Sequence, residues 1–246
     1  MRLIENQASR PASAALRRLL PAGVWRPLRA MATAVITPLR FAHVTGHWKS
    51  SLATAAKSQR GKPLPWYTYP AIDFLTQRDF SGKRVLEFGG GQSTLWWAGR
   101  AASILTLEED ESWYRSLKPR VGANVDLHHV AVDHATRTVE PVRALLEAQG
   151  SAKFDVIIID GHLRRELTDL AFRHLAPLGA LILDNAEGYG FHEEIKSRNC
   201  RRIDFFGFAP GVSRRHCTSL VFVGDCFLLD PQVPIADIET VSAEPA

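Results

Sequence analysis

The sequence predicts an α/β protein built on a doubly wound, mostly parallel sheet of seven strands that ends in an antiparallel pair. From residue 63 onward, segments with a strand pattern alternate with segments of helical pattern, which is typical of parallel sheets covered by helices. Two of the strands, "FDVIIID" (154–160) and "GALILD" (179–184), are continuous apolar runs, as expected for strands buried on both faces. A glycine cluster follows the first strand, where ligands meet such sheets.

Each element has its own local signal. The strand segments are short, apolar and bounded by turn residues; they cover 84–88, 103–107, 125–130, 154–160, 179–184, 201–208 and 217–223. The helical segments between them are 93–100, 111–118, 139–149 and 164–175. The last two strands are joined directly by the turn-rich "APGVSRRH", so we expect them to run antiparallel.

Length and composition fit one such domain with an appendage. The 246 residues are 46% hydrophobic and 23% charged, which is ordinary for a globular protein. The three cysteines form no CxxC pair, which argues against a disulfide scaffold or a zinc knuckle and favours a reducing compartment. No apolar run approaches the ~20 residues of a membrane span. We therefore expect a cytoplasmic protein.

Charge divides the chain near Gly61. Residues 1–62 hold 11 Lys and Arg against one Glu, a net charge of +10, whereas the remainder holds 19 basic and 25 acidic residues, a net charge of −6. We predict a basic helical arm over 1–62, the sheet domain over 63–230 and an acidic tail over 231–246.

The arm contains apolar residues at helical spacing. Val24, Leu28, Met31 and Val35 share one face, and Pro38 is predicted to end the helix. Three interpretations remain open. The arm is a helix with a solvated basic face, a peripheral contact with an anionic membrane surface, or a cleavable, arginine-rich transit peptide.

Acidic residues stand at or just beyond the ends of five predicted strands: Glu87, Glu108, Asp133, Asp160 and Asp184. Carboxyl ends of parallel strands meet at one edge of the sheet, so these side chains are expected to converge on one rim. Each acid alone is also explained as the N-cap of the following helix.

The turn after the first strand favours a phosphate-free nucleoside. It consists of Gly89, Gly90 and Gly91, which let a backbone approach a ligand closely. Thr94 stands where a dinucleotide fingerprint has its third glycine, and the carboxylate of Glu87 would repel a pyrophosphate but attract an amine. Glu108, at the end of the second strand, is well placed for ribose hydroxyls. The ligand expected here is a nucleoside with a positive tail.

"VLEFGGGQST", "LTLEED", "FDVIIIDG" and "LAPLGALILDNAE", in this order and spacing, resemble the motifs of class I S-adenosylmethionine (SAM)-dependent methyltransferases. The resemblance covers roughly 65–225 and implies the Rossmann-like fold of these enzymes with SAM as cofactor. It implies that Gly89, Gly90 and Gly91 line the methionine part and that Glu87 lies by the aminoacyl end. Glu108 would bind the ribose, Asp133 would approach the adenine amine, and Asp160 would also border the cofactor.

The acceptor side resembles catechol-type and macrocin-type O-methyltransferases. Asp160, Asp184 and Asn185 match their Asp…Asp-Asn set, which implies a Mg²⁺ that activates a substrate hydroxyl. The lysine base of the catechol family is replaced by Leu163, so His162 becomes the candidate base, with Asp160 beside it. The alternative is that Asp160 caps a helix and His162 faces solvent.

The function expected from these residues is O-methylation of a small-molecule, glycan or lipid-linked hydroxyl. Two alternatives from other classes are a non-catalytic scaffold with the same fold and an NAD(P)-dependent oxidoreductase. A nucleic-acid substrate is disfavoured, because "DGHL" stands where nucleobase N-methyltransferases usually carry a "PPY"-type motif.

Overall fold

The computed structural model describes residues 21–133 and 135–230. The chain divides between Val44 and Thr45 into two units. The predicted limits of the arm and of the sheet domain remain predictions, and the predicted acidic tail lies outside the described residues. No helix of the described residues is long and apolar enough to cross a membrane.

The described residues of the first unit form the helix α1 (Ala22–Val44), which includes Pro27 and Pro38 and buries none of its residues. The predicted end at Pro38 is therefore wrong. A proline inside a helix removes one backbone hydrogen bond, and at an exposed position the freed carbonyl can bond to water instead. The helix can therefore continue through both prolines.

The second unit alternates helices and strands. Its helices are α2 (His47–Ala53), α3 (Tyr69–Thr76), α4 (Gln92–Ala98), α5 (Glu111–Leu117), α6 (Glu140–Ala148), α7 (Arg164–His174) and α8 (Phe191–Lys196). Its strands are β1 (Arg84–Phe88), β2 (Ser103–Glu108), β3 (Val125–His129), β4 (Phe154–Ile159), β5 (Leu175–Leu183), β6 (Arg201–Phe208) and β7 (Arg215–Phe222). Short 3₁₀ turns follow α5 and β7.

The strands form one sheet in the order β3-β2-β1-β4-β5-β7-β6. The first five strands are parallel, and β7 runs antiparallel to both β5 and β6. The predicted doubly wound, mostly parallel seven-stranded sheet with a terminal antiparallel pair is confirmed. The strand order reverses between β1 and β4, so a crevice opens at their carboxyl ends.

In the second unit, the largest boundary difference from prediction is at the start of β5, and the other predicted elements differ by at most two residues. β5 begins at Leu175 rather than at residue 179, because Leu175 pairs with Phe154 ahead of a register irregularity, after which Ala180 pairs with Val156. α7 consequently ends at His174.

Alternation along β1 assigns its side chains to two layers. Leu86 and Phe88 pack into the apolar core that α6, α7 and α8 cover. Glu87 points to the opposite face, toward the α4 layer, where its carboxylate meets Thr94. A carboxylate in the middle of a buried strand is therefore held inside the protein, directly beneath the glycine turn.

Candidate functional site

The glycine turn lies at the point where the strand order reverses. Gly89 adopts a φ of +89°, and a Cβ on it would come within 2.8 Å of Gly161 N and 2.9 Å of the carbonyl carbon of Asp160. Only glycine lets the loops after β1 and β4 approach so closely. The turn and Asp160 therefore border the same crevice.

Glu87 is fully buried beneath this turn. Its Oε2 accepts hydrogen bonds from Thr94 Oγ1 at 2.5 Å and from Thr106 Oγ1 at 3.1 Å. Gly91 N in turn donates to Thr94 Oγ1 at 2.9 Å, so the carboxylate anchors the glycine backbone through a threonine. Burial raises the pKa of Glu87 to about 7, although the hydroxyl hydrogen bonds oppose the shift.

One oxygen of Glu87, Oε1, is buried and has no hydrogen-bond partner among the described residues. A buried polar atom without a partner costs free energy, and such atoms are rare in folded proteins.

Glu108, at the end of β2, holds the other side of the turn. Its Oε2 accepts from Gly90 N at 2.7 Å, and its Oε1 accepts from Asp110 N at 2.7 Å. Burial raises the pKa of Glu108 above its ordinary value. Each carboxylate oxygen keeps a second lone pair, so Glu108 remains able to accept from a hydroxyl of a ligand.

Trp113, which the sequence analysis did not single out, closes the turn from outside. Its Nε1 donates to Gly90 O at 2.6 Å, and its indole lies 3.5 Å from the position of a Cβ on Gly91. The side chain is presented there by α5, whose N-cap Asp110 accepts from Trp113 N. The sequence signal was available in "EEDESWY", an aromatic residue three positions after an N-cap acid at the end of a strand.

A small cavity lies beside the turn. Its floor is apolar, and its polar residues stand at one end. The apolar lining includes Leu107, Val130, Val132, Val139 and Val142, and the polar end includes Glu109, Asp160 and His162. An apolar slot next to a carboxylate-rich rim suits a flat base joined to a polar sugar.

Asp133 lies beyond β3 and organises its own loop. Its Oδ1 accepts from Ala135 N at 2.9 Å, and its Oδ2 accepts from Thr136 Oγ1 at 2.8 Å. The predicted contact of Asp133 with adenine remains a prediction. Val132, the preceding residue, lines the cavity.

His162 stands at the mouth of the cavity, with its side chain 70% exposed. Its Nδ1 pairs with Oε1 of Glu109, a residue that the sequence analysis did not select. A carboxylate that accepts from Nδ1 fixes the neutral imidazole with its lone pair on Nε2. This is the orientation that a general base requires.

The three predicted metal ligands come together around a side chain. Arg164 is 6% exposed, and its guanidinium lies between the ends of β4 and β5. It donates to Asp160 Oδ1 at 2.6 Å, to Asp184 O, and to Asn185 Oδ1 at 3.4 Å. Burial and the neighbouring Asp160 raise the pKa of Asp184 well above its ordinary range.

This arrangement does not fit a divalent ion. Oxygens of Asp160 and Asn185 are engaged by the guanidinium, and Asp184 Oδ1 accepts from Thr218 Oγ1. A Mg²⁺ would have to displace a buried positive charge and gather these oxygens at ~2.1 Å. No cluster of three or more His, Cys, Asp or Glu suited to a metal occurs in the part of the chain that the structure describes. The predicted Mg²⁺ therefore has no support from the geometry.

His216, at the start of β7, lies at the same rim. Asn185 Nδ2 lies 2.9 Å from His216 Nδ1, and Glu187 Oε1 lies 3.3 Å from the same atom. Its Nε2 is buried without a hydrogen-bond partner among the described residues. Antiparallel pairing of β7 with β5 brings it to this rim.

Comparisons with known proteins give a likeness in fold. The O-methyltransferase TomG from Streptomyces achromogenes, involved in tomaymycin synthesis and crystallised with SAM, is 20% identical over 62% of this chain and 76% of its own, with a TM-score of 0.47. An O-methyltransferase from Bacillus cereus in complex with SAH is 16% identical over 82% of this chain and 99% of its own, with a TM-score of 0.47.

A third solved structure, the methyltransferase MycE from the mycinamycin biosynthetic pathway with Mg, SAH and mycinamycin VI, is 18% identical over 70% of this chain and 50% of its own, with a TM-score of 0.44. No family model matches the chain. No curated protein matches it either. With TM-scores below 0.5, these likenesses leave the function to be decided by the residues of the site.

Proposed function

We propose that this protein is a SAM-dependent methyltransferase that transfers a methyl group to a hydroxyl of a small-molecule, glycan or lipid-linked acceptor. The observation that carries the proposal is the buried carboxyl group of Glu87, which is linked through Thr94 to the backbone of a glycine turn. A carboxylate there is unfavourable for a pyrophosphate and favourable for the amine of an aminoacyl tail. The known cofactor that joins such a tail to a nucleoside without phosphate is SAM.

The residues present fit this cofactor at each end. Gly89, Gly90 and Gly91 offer a close backbone approach, and Glu108 keeps acceptor capacity for ribose hydroxyls. The apolar cavity beside them accepts the base. When bound, SAM supplies an electrophilic methyl group on a sulfonium. Everything else in the transfer is positioning and removal of a proton, which the protein supplies.

His162, held by Glu109, is the group that takes the proton from the acceptor hydroxyl. Its Nε2 carries the lone pair when Nδ1 donates to Glu109, and Asp160 borders the same cavity. Positioned bases of this kind contribute ~10² to 10⁴ in rate. A His162→Gln variant is expected to lose activity by that factor while its affinity for SAH stays unchanged.

The first test is calorimetric titration of the full chain with SAH and, separately, with NAD⁺. We expect micromolar binding of SAH, no binding of NAD⁺, and loss of SAH binding in Glu108→Ala. Glu111→Ala, which removes an exposed acid of α5, is the matched control and should bind as wild type does. Binding of NAD⁺ by a folded sample would favour an oxidoreductase, and binding of neither ligand would favour a scaffold.

A further inference from the structure

Arg164 is the buried cation of the acceptor side. Its Nε donates to Gly161 O at 2.8 Å, and its two terminal nitrogens reach Asp160, Asp184 and Asn185. One guanidinium thus ties the loop after β4 to the loop after β5. Its carbon also lies 4.0 Å from the ring centroid of Tyr189, which closes the remaining face.

The guanidinium stands where the resemblance to catechol-type enzymes places a metal ion. It carries one positive charge, makes directional hydrogen bonds and cannot lose its proton in a protein. A divalent ion at the same oxygens would face this charge at very short range. The two cations therefore exclude each other.

We propose that Arg164 permanently replaces the divalent ion on the acceptor side, so that the methyl transfer proposed above, on which this inference rests, proceeds with a chelator present. Arg164 is then a positioning residue. It fixes the Asn185 amide by donating to its Oδ1, so that Nδ2 of the amide faces His216 Nδ1. In neutral His216 this contact leaves the proton on Nε2, a buried donor directed at no described acceptor.

The test uses Mn²⁺ as the probe, because it binds the same oxygen ligands as Mg²⁺ and loses its free-ion paramagnetic resonance signal on binding. The full chain is titrated with Mn²⁺ with and without SAH. We expect no stoichiometric binding by wild type in either condition. Stoichiometric binding that Asp160→Asn abolishes would overturn the proposal, whatever the variants below show.

Two variants sharpen the result. Arg164→Gln removes the charge and is expected to create a Mn²⁺ site with one ion per chain, which a second change, Asp160→Asn, should remove. Arg165→Gln, at the exposed neighbouring arginine that pairs with Glu194, is the matched control and should bind no Mn²⁺. A folded Arg164→Gln protein that binds no Mn²⁺ would contradict the idea that the guanidinium holds the place of the ion.

The same samples separate this inference from the proposed function. SAH calorimetry tests the cofactor, and Mn²⁺ titration tests the cation. SAH binding without Mn²⁺ binding supports both proposals. If the wild-type chain binds neither SAH nor Mn²⁺, the result contradicts the proposed methyltransferase function. If it binds both SAH and Mn²⁺, the result contradicts the proposed role of Arg164.

A different observation concerns α1. Five of its seven large exposed apolar residues form one stripe, with Ile36 and Val44 outside it, and five of its polar residues form the opposite stripe. The apolar stripe is Val24, Leu28, Met31, Val35 and Leu39, each between 46% and 69% exposed. The polar stripe is Arg26, Arg29, Thr33, Thr37 and Arg40. At 100° per residue the centres of the two stripes lie on opposite sides of the helix.

The charge around this helix has one sign. The chain carries no Asp or Glu between Glu5 and Asp73, and α1 itself contributes three arginines. An apolar stripe opposite a polar stripe whose only charges are positive is the pattern of helices that lie in the interface of anionic membranes. A coiled-coil seam between two copies of the chain would need apolar spacing sustained over at least about three heptads, and this stripe runs only from Val24 to Leu39.

We infer that α1 binds the surface of membranes rich in anionic lipid, with its apolar stripe among the acyl chains. The full chain should sediment with phosphatidylglycerol vesicles and remain in solution with phosphatidylcholine vesicles. Met31→Asp with Val35→Asp should abolish sedimentation, and Arg26→Gln with Arg29→Gln should weaken it several-fold. Leu178→Asp, at a leucine that is 56% exposed outside the helix, is the control.

Equal binding to both kinds of vesicle, or no binding to either, would overturn this inference. So would a concentration-dependent dimer of the lipid-free chain that Met31→Asp with Val35→Asp dissociates, because the stripe would then be a contact between copies. Binding to anionic vesicles that persists in the doubly substituted chain would place the contact elsewhere and would contradict it as well.

Discussion

The rim of the sheet has two halves that satisfy their carboxylates differently. On the β1–β2 half, Glu87 and Glu108 accept from hydroxyls and backbone N–H groups, with no cation within their hydrogen bonds. On the β4–β5 half, Asp160 pairs with the buried guanidinium of Arg164, and Asp184 gives it a backbone carbonyl. The first half is a preformed negative site and the second is internally neutralised.

The difference indicates which kind of ligand each half of the rim can bind. Acids that only neutral donors surround favour a cationic or hydroxyl-bearing ligand, because neighbouring dipoles cannot cancel a full charge. Acids that hold an arginine are already paired and serve to fix loops. In the proposed function the cofactor therefore binds at the first half, and the second half shapes the place of the acceptor.

Arg164→Ala should have the largest effect. It removes the positive partner of Asp160 and leaves a buried ionic cluster uncompensated, which costs ~3–5 kcal/mol. Chemical denaturation would measure this loss in the free energy of unfolding. Arg165→Ala, at an arginine 58% exposed, should stay within about 1 kcal/mol of wild type. Equal losses of unfolding free energy in the two variants would contradict the inference that the β4–β5 half is neutralised by a buried arginine.

Glu87 should make stability depend on pH. Its pKa is about 7 in the folded protein against 4.5 for an exposed glutamate, so the folded state binds the proton more tightly. The free energy of unfolding should therefore fall as the pH rises from about 4.5 to about 7, by ~3 kcal/mol in total.

Glu87→Gln lacks this ionisation, so the difference between its unfolding curve and that of wild type isolates the contribution of Glu87. Urea denaturation at several values of pH measures it. A difference between variant and wild type that does not change across this range would contradict burial of an ionisable carboxylate on the β1 half.

Gly89→Ala should destabilise the protein by about 2 kcal/mol, because a Cβ would lie 2.8 Å from Gly161 N at a φ of +89°. The β1 and β4 loops would have to separate, so SAH affinity should fall as well. Gly82→Ala is the control, since a Cβ there meets nothing within 4 Å. Thermal unfolding and calorimetry measure the two effects. An unaffected Gly89→Ala would mean that the halves are not in contact.

Thr106→Val should have the smallest effect, about 1 kcal/mol, since it removes one hydrogen bond to Glu87 Oε2. The pKa of Glu87 should rise further, because that hydrogen bond favours the ionised carboxylate. The pH at which stability is lost should move upward with it. Thr76→Val, whose hydroxyl donates to a backbone carbonyl in α3, should leave that pH unchanged.

Local patterns in the sequence determined the sheet. Apolar runs predicted the strands, because a strand buried on both faces must be apolar throughout. Their alternation with helices predicted a mostly parallel sheet, and the turn-rich connection between the last two strands predicted an antiparallel pair. The glycine turn with Glu87 and Glu108 at the ends of its two neighbouring strands was also predictable, since all three features lie within 25 residues of chain.

Only the tertiary structure decided which side chains contact one another at the rim. Arg164 follows Asp160 by four residues, yet its partners Asp184 and Asn185 lie 20 and 21 residues away in the chain. His216 reaches the same rim through an antiparallel pairing, and Glu109 reaches His162 across 53 residues. A linear motif specifies which oxygen-bearing side chains stand at the ends of the strands. Whether a metal ion, a guanidinium or a ligand meets them depends on side chains that distant segments bring there.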